Sequence, residues 1–188
     1  MGMKKIILIF SLISFITVSA QDVEMLNLIN NYRLSHNKKS LKLYNGLSDV
    51  AVKQNNLIMI KDSLFHSDLL KTIATGEVIV SGESLPVTHN DVKKFNDFLF
   101  KIFKIKLSNP TNETEVITHV KLYIIYMYDQ SPKHKSILLD DYVNVGFNTI
   151  IKDIKYMSNK VTILGKSVEY KNIVSHYKVK FYNVITFN

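Results

Sequence analysis

The sequence has no cysteine and no tryptophan, and Arg33 is its single arginine in 188 residues. Without cysteine there is no disulfide framework, zinc ribbon, iron–sulfur cluster or thiol nucleophile, and no residue to acylate in a lipoprotein. With arginine nearly absent and the lysines scattered, the basic balance of +8 does not mark a nucleic-acid surface. Glycine and proline are scarce, at 6 and 3 residues, and no Pro/Gly-rich linker, repeat or low-complexity tract divides the chain after its first twenty residues. HExxH, an i,i+4 histidine pair, a Gly-rich phosphate loop and a G-x-S-x-G elbow are all missing.

What remains is apolar. Hydrophobic residues make up 46%, with 10 Phe and 10 Tyr, too many for a disordered chain and enough for one well-buried core. Part of this apolar content is an address. Two lysines at 4 and 5 precede the apolar run Ile6–Val18, and Val18-Ser19-Ala20 offers small residues for cleavage. This is the layout of a secretory signal peptide cut near Ala20, and the run is too short to span a bilayer comfortably. Its removal leaves 168 residues with a charge of +6, expected as a single domain over 21–188. An exported chain without cysteine suits a bacterial protein that is secreted, extracellular or periplasmic, with no stable membrane anchor after cleavage.

Periodicity places helices first. Val23–Ser35 carries Leu26, Ile29 and Tyr32 or Arg33 at helical spacing, with Asp22 as N-cap. Asn45-Gly46 reads as a turn before a helix from Leu47 to Ser63 with the stripe Leu47, Val50, Ala51, Leu57, Ile58 and Lys61. Gly76–Val80 is strand-like. Asn90–Lys106 is a basic amphipathic helix; it fits a core-facing helix with a lysine rim better than a membrane-surface element. Thr114–Gln130 is apolar almost all round and reads as a buried helix, with a buried strand as the alternative. Ser131-Pro132 caps a short helix to Leu139. Strands are expected around Val143–Asn148, Lys160–Leu164 and His176–Phe187. Helices before strands predict an α+β fold, with a mostly antiparallel central sheet flanked by helices.

Six histidines are present, and short strings around two of them stand out. Phe65-His66-Ser67-Asp68, Gly76-Glu77-Val78-Ile79 and Ser131-Pro132-Lys133-His134 with Ile137-Leu138 occur in that order, followed by Val145-Gly146-Phe147. With Leu28-Ile29-Asn30-Asn31-Tyr32-Arg33 and the spaced Leu41, Leu47 and Ala51, they resemble the bacterial secreted type of the CAP superfamily. This is the SCP domain of cysteine-rich secretory proteins, antigen 5 and pathogenesis-related 1. The resemblance covers about 25–187 and is poor over 84–126. Tyr128 stands in place of the family's tryptophan, Val78 in place of an asparagine, and Ser131 where eukaryotic members carry a second glutamate.

The resemblance implies an α-β-α sandwich in which His66, Glu77 and His134 converge in a cleft. Two imidazoles and one carboxylate would make a three-ligand set for Zn2+ or another divalent cation, with an open position; without metal, the glutamate would raise the histidine pKa values. No organic cofactor is implied. Three functions compete. The first is a module binding an extracellular protein, peptide or lipid ligand through the His/Glu cleft. The second is a metal-assisted or acid/base hydrolase of peptides or envelope polymers, with Glu77 as base, His66 and His134 as ligands or acids, and Ser131 as a weak candidate nucleophile that more simply caps a helix. The third is sterol or fatty-acid binding.

Overall fold

The structure is a computed structural model that describes residues 20–68, 72–84, 89–108, 110–156, 160–163, 166–169 and 177–188. Residues 1–19, where the sequence leads one to expect a signal peptide, and His176 lie outside these. Five helices are described: α1 (Ala20–Ser35), α2 (Asn45–Lys61), α3 (His89–Phe103), α4 (Glu113–Gln130) and α5 (Pro132–Leu138). The strands are β1 (Lys42–Leu43), β2 (Gly76–Ser84), β3 (Asn144–Tyr156), β4 (Lys160–Ile163), β5 (Lys166–Glu169) and β6 (Tyr177–Phe187).

Four strands form one sheet in the order β1-β3-β6-β2, while β4 and β5 pair separately. β6 runs antiparallel to both β3 and β2, and β1 runs parallel to β3. The fold is therefore α+β, but the sheet is mixed rather than mostly antiparallel. The physical reason is β1, a two-residue strand that carries the chain from α1 to α2 alongside β3 and is too short to show a period of its own.

Alternation along the strands separates two cores. Val78, Val80, Phe181, Ile185 and Phe187 pack with residues of α1, α3 and α4. Their neighbours Ile79, Tyr182 and Val184 pack with Ala51 and Ile58 of α2. Helices thus cover both faces, as period-two burial requires. α2 lies unusually close to the sheet. A Cβ on Gly146 would fall 2.1 Å from the Ser48 backbone nitrogen, so only glycine admits this approach. Thr186 Oγ donates to Leu47 O at 2.9 Å, and Asn55 Nδ2 donates to Asn148 Oδ1 at 2.8 Å, tying the helix to β6 and β3.

Asn45-Gly46 is the first turn of α2 rather than a free-standing turn. Tyr44 N donates to Val145 O at 2.9 Å, fixing the strand end beside the helix start, and Leu47 N donates back to Tyr44 O at 3.0 Å. The α2 stripe also differs from expectation: Gln54 and Asn55 are buried, whereas Leu57 is exposed. α4 is a helix, with Asn112 Oδ1 accepting from Glu115 N at 2.9 Å and Glu115 Oε2 accepting from Thr111 N at 2.7 Å. This is the reciprocal logic of a capping box.

Candidate functional site

Glu77 sits near the start of β2, an edge strand of the sheet, on the face covered by α2. After α2 the backbone turns at Asp62, which adopts a left-handed φ of 47°. Gln54 of α2 then donates its side-chain N–H to Phe65 O, which holds the returning chain close to the helix. That places His66 and Ser67 against Glu77.

The Glu77 carboxylate is buried, at 3% exposure, and accepts three hydrogen bonds. His66 Nδ1 lies 2.9 Å from Oε2, Ser67 N donates to the same oxygen at 2.9 Å, and Ser67 Oγ donates to Oε1 at 2.7 Å. An ionised carboxylate only accepts, so His66 carries its proton on Nδ1, leaving Nε2 as the ring atom for a ligand. The His66 side chain is half exposed. It lines an open pocket of about 950 Å³, bounded by Val50, Lys53 and Leu57 of α2 and by Phe65 and Ile73 of the following segment.

His134 projects from α5, whose position is fixed by buried polar contacts. Arg33, 1% exposed, donates to Leu138 O at 2.7 Å, Asp140 O at 2.9 Å and Lys39 O at 2.9 Å. Lys135 Nζ donates to Asp129 Oδ1 at 2.6 Å, which also accepts from Tyr32 Oη at 2.8 Å. The His134 ring stands edge-on to Tyr128 at 5.6 Å between centroids. Tyr128 is fully buried and donates to Asn183 Oδ1 at 2.7 Å, and Asn183 Nδ2 donates to Thr149 Oγ at 2.7 Å. Burial, and then the Glu77 charge, push the Tyr128 hydroxyl well above its ordinary range.

The structure thus brings the three singled-out residues to one region, but not as a metal centre. His66 and Glu77 touch directly. His134 is near enough to His66 that, after burial, the His66 charge and then Lys133 hold its pKa below the ordinary imidazole value. The expectation that Glu77 raises both histidines is reversed at His134, where burial, the His66 charge and Lys133 all act to lower the pKa. Among the described residues, no group of three or more His, Cys, Asp or Glu side chains is arranged to hold a metal ion. In this structure Glu77 Oε2 accepts from His66 and Ser67 N and Oε1 accepts from Ser67 Oγ, where the CAP resemblance implied a shared metal ligand.

Ser131 is the N-cap of α5, its side chain accepting from His134 N at 3.5 Å. That geometry is capping and does not prepare a nucleophile. The residue that sequence reasoning missed is Ser67. Its signal was adjacency to His66 in Phe65-His66-Ser67-Asp68, where one residue supplies two donors to the same carboxylate. Of the remaining histidines, His36 Nδ1 donates to Tyr32 O at 2.9 Å, and burial holds the His119 pKa below the ordinary value.

No family model matches the chain, and no curated protein matches it. Among solved structures, its shape is similar to an outer surface protein from Borrelia burgdorferi, at a TM-score of 0.46 and 10% identity over 89% of this chain and 92% of that one.

Proposed function

We propose that the chain is a secreted, CAP-like ligand-binding module, exported by its N-terminal signal, whose recognition point is His66. The observation that carries this reading is the His66–Glu77–Ser67 cluster. A buried carboxylate with three donors fixes one imidazole in one tautomer at the wall of an open, largely apolar pocket. A ligand with one polar group and an apolar body meets both demands. The polar group bonds His66 Nε2, and the body lies against Val50, Leu57 and Phe65. Lys53 shares the pocket lining with Asp49 and Asp68, so a neutral polar group such as a carbonyl suits it better than a carboxylate.

A second reading is supported by the same pair. A histidine oriented by a carboxylate through Nδ1 is the arrangement of a general base, and water could then be the nucleophile in hydrolysis of a peptide or envelope polymer. Ser67 Oγ is engaged with Glu77 and Ser131 caps α5, so neither serine supplies an attacking oxygen.

One experiment separates the two. Histidine side-chain 15N spectra are followed while acetylated apolar dipeptides, decanoate and peptidoglycan fragments are added singly. Binding is expected to move the His66 Nε2 resonance and those of Phe65 and Leu57, and His66→Ala removes the response. If no probe perturbs His66 at millimolar concentration, the binding reading fails. Product formation by wild type but not by Glu77→Gln would replace it with the hydrolase.

A further inference from the structure

The apolar side of α3, the side a membrane would have taken, is used inside the protein. Phe95, Phe98 and Leu99 are buried against α1 and α4, with Phe98 6.4 Å from the Tyr32 ring and Phe95 5.4 Å from Tyr123. A different face is left outside. Phe100 is 63% exposed, and Ile105, just past the helix, is 38% exposed. Lys93 stands seven residues before Phe100, so helical geometry puts it on the Phe100 side, with Asp97 as a carboxylate between the two, and Lys104 follows the end of the helix at a left-handed φ of 60°. The Lys104 ammonium is 5.9 Å from the Phe100 ring centroid. Over 89–108 there are five lysines and two aspartates, and all five lysines are exposed.

We propose that this outer face of α3 is a peripheral docking surface for an anionic phospholipid bilayer. Charge complementarity draws the lysines to acidic headgroups. Phe100 distinguishes a bilayer from a soluble polyanion, because an uncovered aromatic ring gains burial at the headgroup–acyl boundary and gains little from a purely charged partner. α3 packs on the side of the sheet opposite α2 and the His66 pocket, so docking there leaves the pocket open. Among the described residues no helix is long and apolar enough to cross a membrane, and the contact proposed is superficial.

The test is vesicle co-sedimentation with the chain starting at Ala20. This removes the apolar N-terminal run, which would partition into lipid by itself, and retains every buried core residue described above. Vesicles are phosphatidylcholine alone or an equimolar mixture with phosphatidylglycerol, and circular dichroism checks the folding of each variant. Wild type is expected to pellet with the anionic vesicles alone. Lys93→Glu/Lys104→Glu should lower the partition coefficient by about 20-fold or more, at about fivefold for each lysine lost, and Phe100→Ser by about fivefold or more. Ile60→Ser on α2, and Lys155→Glu/Lys178→Glu on the β3–β6 pair, should bind as wild type does. The proposal is overturned if wild type ignores anionic vesicles, if it binds neutral ones equally, or if the control variants lose as much as the α3 variants. It is also overturned if Phe100→Ser binds fully while heparin displaces the protein, which would make the partner a soluble polyanion.

Discussion

Removing the charge of Glu77 while keeping its shape tests the site most directly. In Glu77→Gln, the amide oxygen can stay on His66 Nδ1 and Ser67 N, while the new NH2 group donates to Ser67 Oγ, which reverses its role. His66 Nδ1 and Ser67 N keep an acceptor, and Ser67 Oγ keeps a partner. The loss is the difference between charge-assisted and neutral hydrogen bonds, about 1 kcal/mol for each. Solvent replaces part of this because His66 is half exposed, so the expected cost is about 1–2 kcal/mol. Glu77→Ala leaves all three donors without their acceptor and should cost about 3 kcal/mol.

Ser67→Ala removes the 2.7 Å bond to Oε1 and should cost about 2 kcal/mol in the wild type but about 1 kcal/mol in the Glu77→Gln background, where the bond lost is neutral. The double-mutant cycle therefore predicts a coupling of about 1 kcal/mol. Urea unfolding of the four proteins measures it. Additivity within about 0.3 kcal/mol would refute the contact, as would a Glu77→Gln variant more stable than wild type.

Four further outcomes follow from the same geometry. Arg33→Lys replaces a fork that serves three carbonyls with a point donor, and should cost about 2–3 kcal/mol in urea, with a matching loss of order in α5 by amide exchange. Gly146→Ala drives a Cβ into the α2 backbone and should cost about 3 kcal/mol or prevent folding, read as soluble yield and thermal midpoint. Because burial depresses His134 and His119 in the folded chain, the unfolded chain binds their protons first; stability is full above about pH 6.5 and falls as pH drops toward the folded values. His134→Gln/His119→Gln should flatten the loss of unfolding free energy between about pH 6.5 and 5, and an unchanged slope would contradict the burial of both rings. Zinc calorimetry on wild type and His134→Ala should give equal, weak heats; tight binding lost with His134 would restore the three-ligand centre.

Periodicity found the long elements because their burial is regular: Ile29 and Tyr32 on α1, Val116 and Val120 on α4, and Phe181, Ile185 and Phe187 on β6 are all core. It failed where polar side chains take interior positions. Asn55 is buried because Asn148 receives its amide, and Gln54 because Phe65 O does, while Leu57 turns outward to the pocket wall. β1 escaped because two residues carry no period, and β5 because Lys166–Glu169 is mostly polar. The order of their strings singled out His66, Glu77 and His134 as candidates. Their relation was not legible, since no spacing says whether a histidine and a glutamate share an ion or a proton.

That distinction governs the chemistry. A metal would stand between imidazole and carboxylate and hold them apart by two coordination bonds of about 2 Å each. At 2.9 Å the pair instead shares a hydrogen, and the lone pair that a metal would claim remains on Nε2. His66 is then an acceptor toward whatever enters the pocket while neutral and becomes a donor once protonated. Ser67 adds to this asymmetry by bonding both oxygens of Glu77, so the carboxylate cannot swing out to bind a cation without breaking two further bonds. A Ser67→Ala chain frees one oxygen. If any variant of this protein acquires zinc affinity, Ser67→Ala should be the one, and a variant that stays as weak as wild type would show that His134 is set too far from the pair to complete a site.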